Sequence, residues 1–314
     1  MLRFLARRLA LAVPTLVLAS MIIFALQQLL PGDTAIALSG EERDPEVIAF
    51  IRAKYHLDQP LPVRYAYWAT GVLQGDLGES IRLQKPVIEL IREKLPVTLE
   101  LACLAMLVAL VIGVPMGILS AVRPGTWIDG LANGVALWGL SVPNFWLGIL
   151  MILLFSVQLG WLPASGYVPP GEDLLENLRS MAMPAFVLGN AIAAVMMRHT
   201  RAAMLGVLQS DYVRTARAKG VPTARVVLRH ALPNAAIPII TLGALEFGQL
   251  LSGAVLTEQV FSVPGFGKLM VDAVFNRDFA TVQGVVICTA ATYILLNLAA
   301  DLASALVNPK LRRA

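Results

Sequence analysis

The side chains most able to do chemistry crowd into one stretch, "DYVRTARAKGVPTARVVLRHALP", residues 211–233. Arg214, Arg217, Lys219, Arg225 and Arg229 gather there, and only Asp211 opposes them. The stretch reads as two short helices joined by a turn. Asp211 is expected to cap the first, "YVRTARAK". Gly220 suits the left-handed position that closes a helix. Pro222 restarts the chain at the first position of "PTARVVLRHAL", and Pro233 is expected to end that segment. A compact basic hairpin has two uses: an anchor on anionic lipid or a docking knob for a protein. The anchor alone would not need the Gly–Pro architecture.

Other reactive constellations are missing. No GxxxxGK[ST] occurs; the closest fragment, "SVPGFGKLM", lacks a glycine at Ser262 and a hydroxyl at Leu269, so it reads as a turn. His56, His199 and His230 do not pair at zinc-protease spacing, and no GxSxG is present. Cys103 and Cys288 lie in apolar runs without CxxC spacing, which predicts two small buried side chains and no metal site. Ionisable residues inside apolar runs are functional suspects, and here they are Glu100, Glu246 and Asp301. Glu100 and Asp301 sit near segment ends, where solvation or ion pairing is expected. Glu246 is deeper. With Gln249, Ser252 and Asn144 it forms a candidate polar pathway, or it pairs with another helix.

These residues need a frame, and composition supplies it. The 314-residue chain is 57% hydrophobic and 15% charged, far from the roughly 25% charged of a soluble domain. The net charge is +4, with no basic domain interleaved with aromatics, so nucleic acid is not the partner. Six apolar segments are expected to be membrane helices: 9–30, 97–122, 131–157, 181–197, 235–257 and 281–307. The first has a basic start but is too long for a cleaved signal. Six spans put both termini on one side. That side carries Arg3, Arg7, Arg8, Arg123, Arg198, Arg201, the hairpin, and Lys310, Arg312 and Arg313. The opposite short loops hold only Arg179, Lys268 and Arg277. The bias puts the termini and hairpin in the cytoplasm. Domains follow: residues 1–30 as the first span, 31–96 as a small helical extracytoplasmic cap, and 97–314 as the core with its cytoplasmic loop 198–234. In the cap, Asp44 and Pro45 start one helix, "PVRYAYWATGVLQGDLG" reads as a second, and "PVIELIREKL" leads into the second span and is expected at the membrane interface. The GxxxG pairs Gly113/Gly117 and Gly130/Gly134 predict close helix packing.

At this point the residues resemble a known family. Permeases of ATP-binding-cassette (ABC) importers carry a cytoplasmic loop reading Glu-Ala-Ala, three residues, Gly, nine residues, Ile, one residue, Leu-Pro. Set on Gly220, that pattern places Arg214, Thr215 and Ala216 at the first three positions, His230 at the Ile position and Leu232-Pro233 at the end. Arg214 departs from Glu, as does the dipeptide/oligopeptide/nickel branch, where "DYVRTARAKG" is a typical form and His230 is usual. "GDLGES", "LPVTLELA", "SVPNFWLGIL", "LGWLPASG", "PGFGKL", "NRDF" and "NLAADLASALVNPKLR" are similar to segments of the same branch, so the likeness covers nearly the whole chain.

The resemblance implies an all-α, six-span type I importer permease of the inner membrane, not an enzyme and without a cofactor of its own. It implies a second homologous permease, two ATPase subunits that bind the ATP, and an extracytoplasmic binding protein. Asp211, Tyr212, Arg214, Thr215, Ala216, Arg217, Ala218, Lys219, Gly220, His230, Leu232 and Pro233 would form the ATPase-coupling loop. Pro264, Gly265, Phe266 and Gly267 would meet the binding protein. Di- and oligopeptides are the expected cargo, with glutathione or nickel as alternatives. A solitary secondary carrier is the more distant reading.

Overall fold

The computed structural model describes residues 2–28, 44–54, 58–80 and 82–307. Expectations for the side chains of Arg3, Arg7, Arg8, His56, Ser252, Asp301, Lys310, Arg312 and Arg313 fall outside what is described. Among the described residues there is no strand. One bridge, Glu79 to Pro86, is the sole extended pairing there.

The helices are α1 (Leu2–Gln28), α2 (Pro45–Lys54), α3 (Leu61–Leu73), α4 (Val87–Val122), α5 (Trp127–Ser141) and α6 (Asn144–Met151), which runs on as a π-helix, Ile152–Gln158. Then come α7 (Leu174–Leu208), α8 (Asp211–Ala218), the single turn α9 (Thr223–Arg225) with the π-helix Val226–Ala231, α10 (Leu232–Gly253), α11 (Val255–Val260), α12 (Phe266–Phe275) and α13 (Phe279–Val307). Four described helical runs are long and apolar enough to cross a bilayer, and the α5–α6 pair makes a fifth. The described apolar stretch of α1, Ala12–Leu26, belongs to the first expected span, 9–30.

Three segments differ from the sequence expectation. The span at 131–157 is two helices bent by 99° at Val142–Pro143. Pro143 has no N–H and pushes the residue before it out of the helical region, and Val142 is extended at φ −85°, ψ 122°. The expected short span 181–197 is the 35-residue α7. Its charged residues lie in turns at either end, and Asp173 caps it by accepting from the N–H groups of Leu175 and Glu176 at 2.9 and 3.1 Å. "PVIELIREKL" leads into the second span as expected, forming the first turns of α4. Pro233 does not end its segment: the run from Thr223 continues into α10 through the π turn. The wider π turn leaves room for the proline ring, which would otherwise crowd the carbonyl four residues back.

The chain forms two compact units, residues 1–96 with 269–294, and 97–268 with 295–314. In the first, α3 packs on α1. Tyr65 Oη lies 2.7 Å from Ser20 Oγ, and Phe24, Tyr65 and Trp68 form a ring cluster with centroids 5.5–5.8 Å apart. Asp44 caps α2 as expected, accepting from Glu46 N at 2.9 Å. The turn after α3 is tied to the start of α13. Asp278 Oδ2 accepts from Ser80 Oγ at 2.5 Å and from Thr281 Oγ1 at 2.8 Å.

In the second unit α7 is the centre. Met181, Met183, Met196, Met197 and Met204 are each no more than 1% exposed. Gly113 and Gly117 of α4 face it so closely that a Cβ would lie 2.5 Å from Ala193 O and 2.6 Å from Met197 O. Gly189 of α7 answers, with Ala105 O at 2.6 Å. This is the close packing expected of small residues. The other GxxxG pair does not pack, because nothing stands within 4 Å of a Cβ at Gly130 or Gly134. Cys103 is also a correction: it is exposed on α4, and Cys288 is half-buried. An apolar run meant for lipid or a partner need not be buried within its own chain.

Candidate functional site

The basic stretch is a hairpin whose inner face is fastened to the second unit. Val213, Val226 and Ala231 are fully buried in the core that includes Met196, Met204 and Leu208. Ala216 and Leu232 pack at the edge of that core. The outer face carries the charge: Asp211, Arg214, Arg217, Lys219, Arg225 and Arg229 are exposed, as are Tyr212, Thr215, Ala218 and Pro233. His230 is half-buried. Arg214 and Asp211 lie 3.5 Å apart with 80% and 96% of their side chains exposed; such a pair contributes little, so the basic surface stays available. The cap of α8 is Ser210, one residue before the expected Asp211, and Pro222 likewise precedes the first residue of α9. Between the helices Gly220 is left-handed at φ +75°, as its glycine predicts, and nothing lies within 4 Å of a Cβ there. Asn234 Nδ2 donates to Tyr212 Oη and to the carbonyl of His230, both at 3.0 Å. The two arms are thereby joined.

The candidate pathway residues occupy separate helices. Asn144 is half-buried at the start of α6, and Glu246, half-buried, is one turn before the exposed Gln249 on α10. Glu100 is half-buried and held by two neutral side chains. It accepts from Tyr167 Oη at 2.8 Å and Asn177 Nδ2 at 2.7 Å. Burial and the neighbouring Glu100 push the Tyr167 phenol above its ordinary range.

The loop 264–267 has a second occupation. Gly265, Phe266 and Gly267 are buried, and they wrap the carboxylate of Glu258, which is 0% exposed. A Cβ on Gly265 would lie 2.3 Å from Glu258 Cδ. Glu258 accepts from Thr98 Oγ1 at 2.6 Å and from Lys268 N at 2.7 Å, while Thr98 Oγ1 accepts from Phe266 N at 2.7 Å. Burial raises the Glu258 carboxyl above its ordinary pKa, and these hydrogen bonds pull it partly back.

Sequence reasoning missed Glu258 and Thr98. It also missed the partnership of Asp129 with Arg201, which it had counted only as an inner-loop cation. The sequence signal for Glu258 was a carboxylate followed shortly by two glycines in one turn; for Asp129 it was an acid in the first turn of an apolar helix.

Residues 113–313 match the family described as binding-protein-dependent transport system inner membrane component, and residues 1–102 match the N-terminal family of such membrane components. A putative peptide transport system permease protein of Brucella abortus is 39% identical over 306 residues, covering 98% of each chain. The glutathione transport system permease protein of Salmonella typhimurium is 42% identical over 312 residues, covering 99% of each. The fold is that of a methionine ABC transporter solved in inward-facing conformations, at TM-score 0.58 and 20% identity over 70% of this chain and 96% of that one. With helices, hairpin and full-length relatives in agreement, the chain belongs to the family of binding-protein-dependent transport system inner membrane components.

Proposed function

We propose that this chain is a peptide-carrying permease subunit of an ABC importer, contributing half of the translocation pathway. The observation that carries the reading is the hairpin: an apolar inner face locked into the core and an exposed basic outer face, closed by Gly220. That geometry suits a knob seated in a cytoplasmic ATPase. Two ATPases bind and hydrolyse ATP, their closure moves the hairpin, and the packed helices switch between outward- and inward-facing states. A second homologous permease completes the pore. An extracytoplasmic binding protein delivers cargo from outside and meets the loop Pro264–Gly267. Both termini lie in the cytoplasm. Glu246, Gln249 and Asn144 line the pathway. Peptide cargo follows from the relatives named for peptide and glutathione transport; glutathione, itself a tripeptide, falls within the same class.

The test is purification from the native membrane in mild detergent, with all partners identified by mass. Two ATPase chains, a second permease and a binding protein are expected. The binding protein should take up short peptides or glutathione in calorimetry. Recovery of the chain alone, under conditions that keep other importers intact, refutes the reading in favour of a solitary carrier.

A further inference from the structure

Where the close seam between α4 and α7 ends, one carboxylate is held from several directions. Arg201 of α7 donates through Nε to Asp129 Oδ1 and through Nη2 to Oδ2, both at 2.9 Å. The same Nε lies 2.9 Å from Ser120 Oγ of α4, and Ser120 Oγ donates to Asp129 Oδ1. Gly125 N donates to Oδ2 at 2.9 Å, and Asn133 Nδ2 to Oδ1 at 2.7 Å. Asp129 is 6% exposed and Ser120 fully buried. A forked guanidinium–carboxylate pair fixes direction as well as distance.

The position of this clasp gives it a task. Only Gln209 and Ser210 separate α7, which carries Arg201, from hairpin helix α8. Asp129 stands in the first turn of α5, whose far end is the Val142–Pro143 bend leading to Asn144. Beside the clasp, a Cβ on Gly117 would lie 2.6 Å from Thr200 Cβ, so α4 and α7 have no room to slide there. The clasp therefore binds the helix that bears the hairpin to the helix that leads to the bend.

We infer that Arg201 and Asp129 are positioning residues that carry movement of the hairpin to the α5–α6 bend. The inference rests on the importer reading above. Without the fork, ATP turnover continues but the bend no longer follows it.

The test uses the whole importer complex in lipid nanodiscs, with Cys103→Ala and Cys288→Ala and a reporter, Ser141→Cys, at the exposed last residue of α5 beside the bend. Two quantities are read: ATP turnover, and the change in maleimide labelling at position 141 on trapping with ATP and vanadate. Arg201→Lys keeps the charge and loses the fork. It should retain ATP turnover and reduce the nucleotide-dependent labelling change about fivefold or more, the lower end of typical coupling between sites. Ser120→Ala leaves the fork and removes one partner, so it should give a smaller loss; it carries the test if Arg201→Lys does not assemble. An unchanged labelling response, or turnover and labelling falling in proportion, overturns the inference and leaves the clasp a structural tie. No nucleotide-dependent labelling change in the complex with an intact clasp also overturns the inference, whereas recovery of the chain without ATPase subunits refutes the importer reading itself, and the inference with it.

Discussion

Replacing Gly220 tests the hairpin by backbone geometry alone. At φ +75° with no atom within 4 Å of the added carbon, a side chain meets no wall. It meets only the steric penalty of the left-handed region, about 1–2 kcal/mol for an L-residue. Val213 and Val226 are fully buried, and burial of each valine contributes about 1.5–3 kcal/mol, so the hairpin stays fastened to the core while its turn distorts. Gly220→Ala should therefore leave insertion and the helical core intact. It should lower the population of the docking geometry roughly 5- to 30-fold, since about 1.4 kcal/mol is a factor of ten. Asparagine tolerates the left-handed region better than alanine, and a β-branched residue tolerates it worst. Uptake should fall in the order Gly, Asn, Ala, Val, measured with labelled cargo in a deletion strain at matched membrane levels of each variant. Co-purified ATPase should fall in the same order. Wild-type uptake by the alanine and valine variants, or an asparagine variant no better than valine, would refute the claim that this turn sets the docking surface.

Three further perturbations follow from the packing. Gly117→Ala drives a methyl to within 2.6 Å of Met197 O, which is backbone, and should destabilise by about 1–3 kcal/mol. Gly130→Ala meets nothing within 4 Å inside α5 and should be stabilising by about 0.5–1 kcal/mol; melting temperatures in detergent that reverse this order would contradict the α4–α7 seam. Gly265→Ala collides with the Glu258 carboxylate and should lower the melting temperature, whereas the double variant with Glu258→Ala should lose less than the sum, because the two share one site. Glu258 itself gives a pH signature. Its folded pKa is raised above 4.5, so the folded state holds the proton more tightly than the unfolded one, and stability falls as pH rises from about 4.5 through the folded value. Glu258→Gln should flatten that slope in melting scans; an unchanged slope would assign the titration to another group.

The sequence was legible wherever the signal was local. Apolar runs marked the helices, Asp44 and Pro45 marked a start, and Gly220 marked a left-handed turn. The bend at Pro143 was present in the letters "SVPN" but was hidden by hydropathy, which averages over a window and stays high on both sides of a break. The same averaging shortened α7: Glu176, Arg179, Arg198 and Arg201 lowered the score of turns that are helical all the same. The polar clasps were hidden for a different reason. Asp129 and Arg201 are 72 positions apart, and Thr98 and Glu258 are 160 apart, so no periodicity relates them. Counting signs put Arg201 among the inner cations without naming its partner, and the glycine-rich stretch after Glu258 read only as a turn. Glycine stands there because the carboxylate occupies the place a Cβ would take. In a membrane chain an internal charge is costly unless it is satisfied, so the few polar groups placed at helix ends each need a partner from elsewhere in the fold. Those partners tie helices together where the apolar surface gives no direction to their packing. A hydropathy reading discounts these positions, and they are the ones where a movement of one helix becomes a movement of the next.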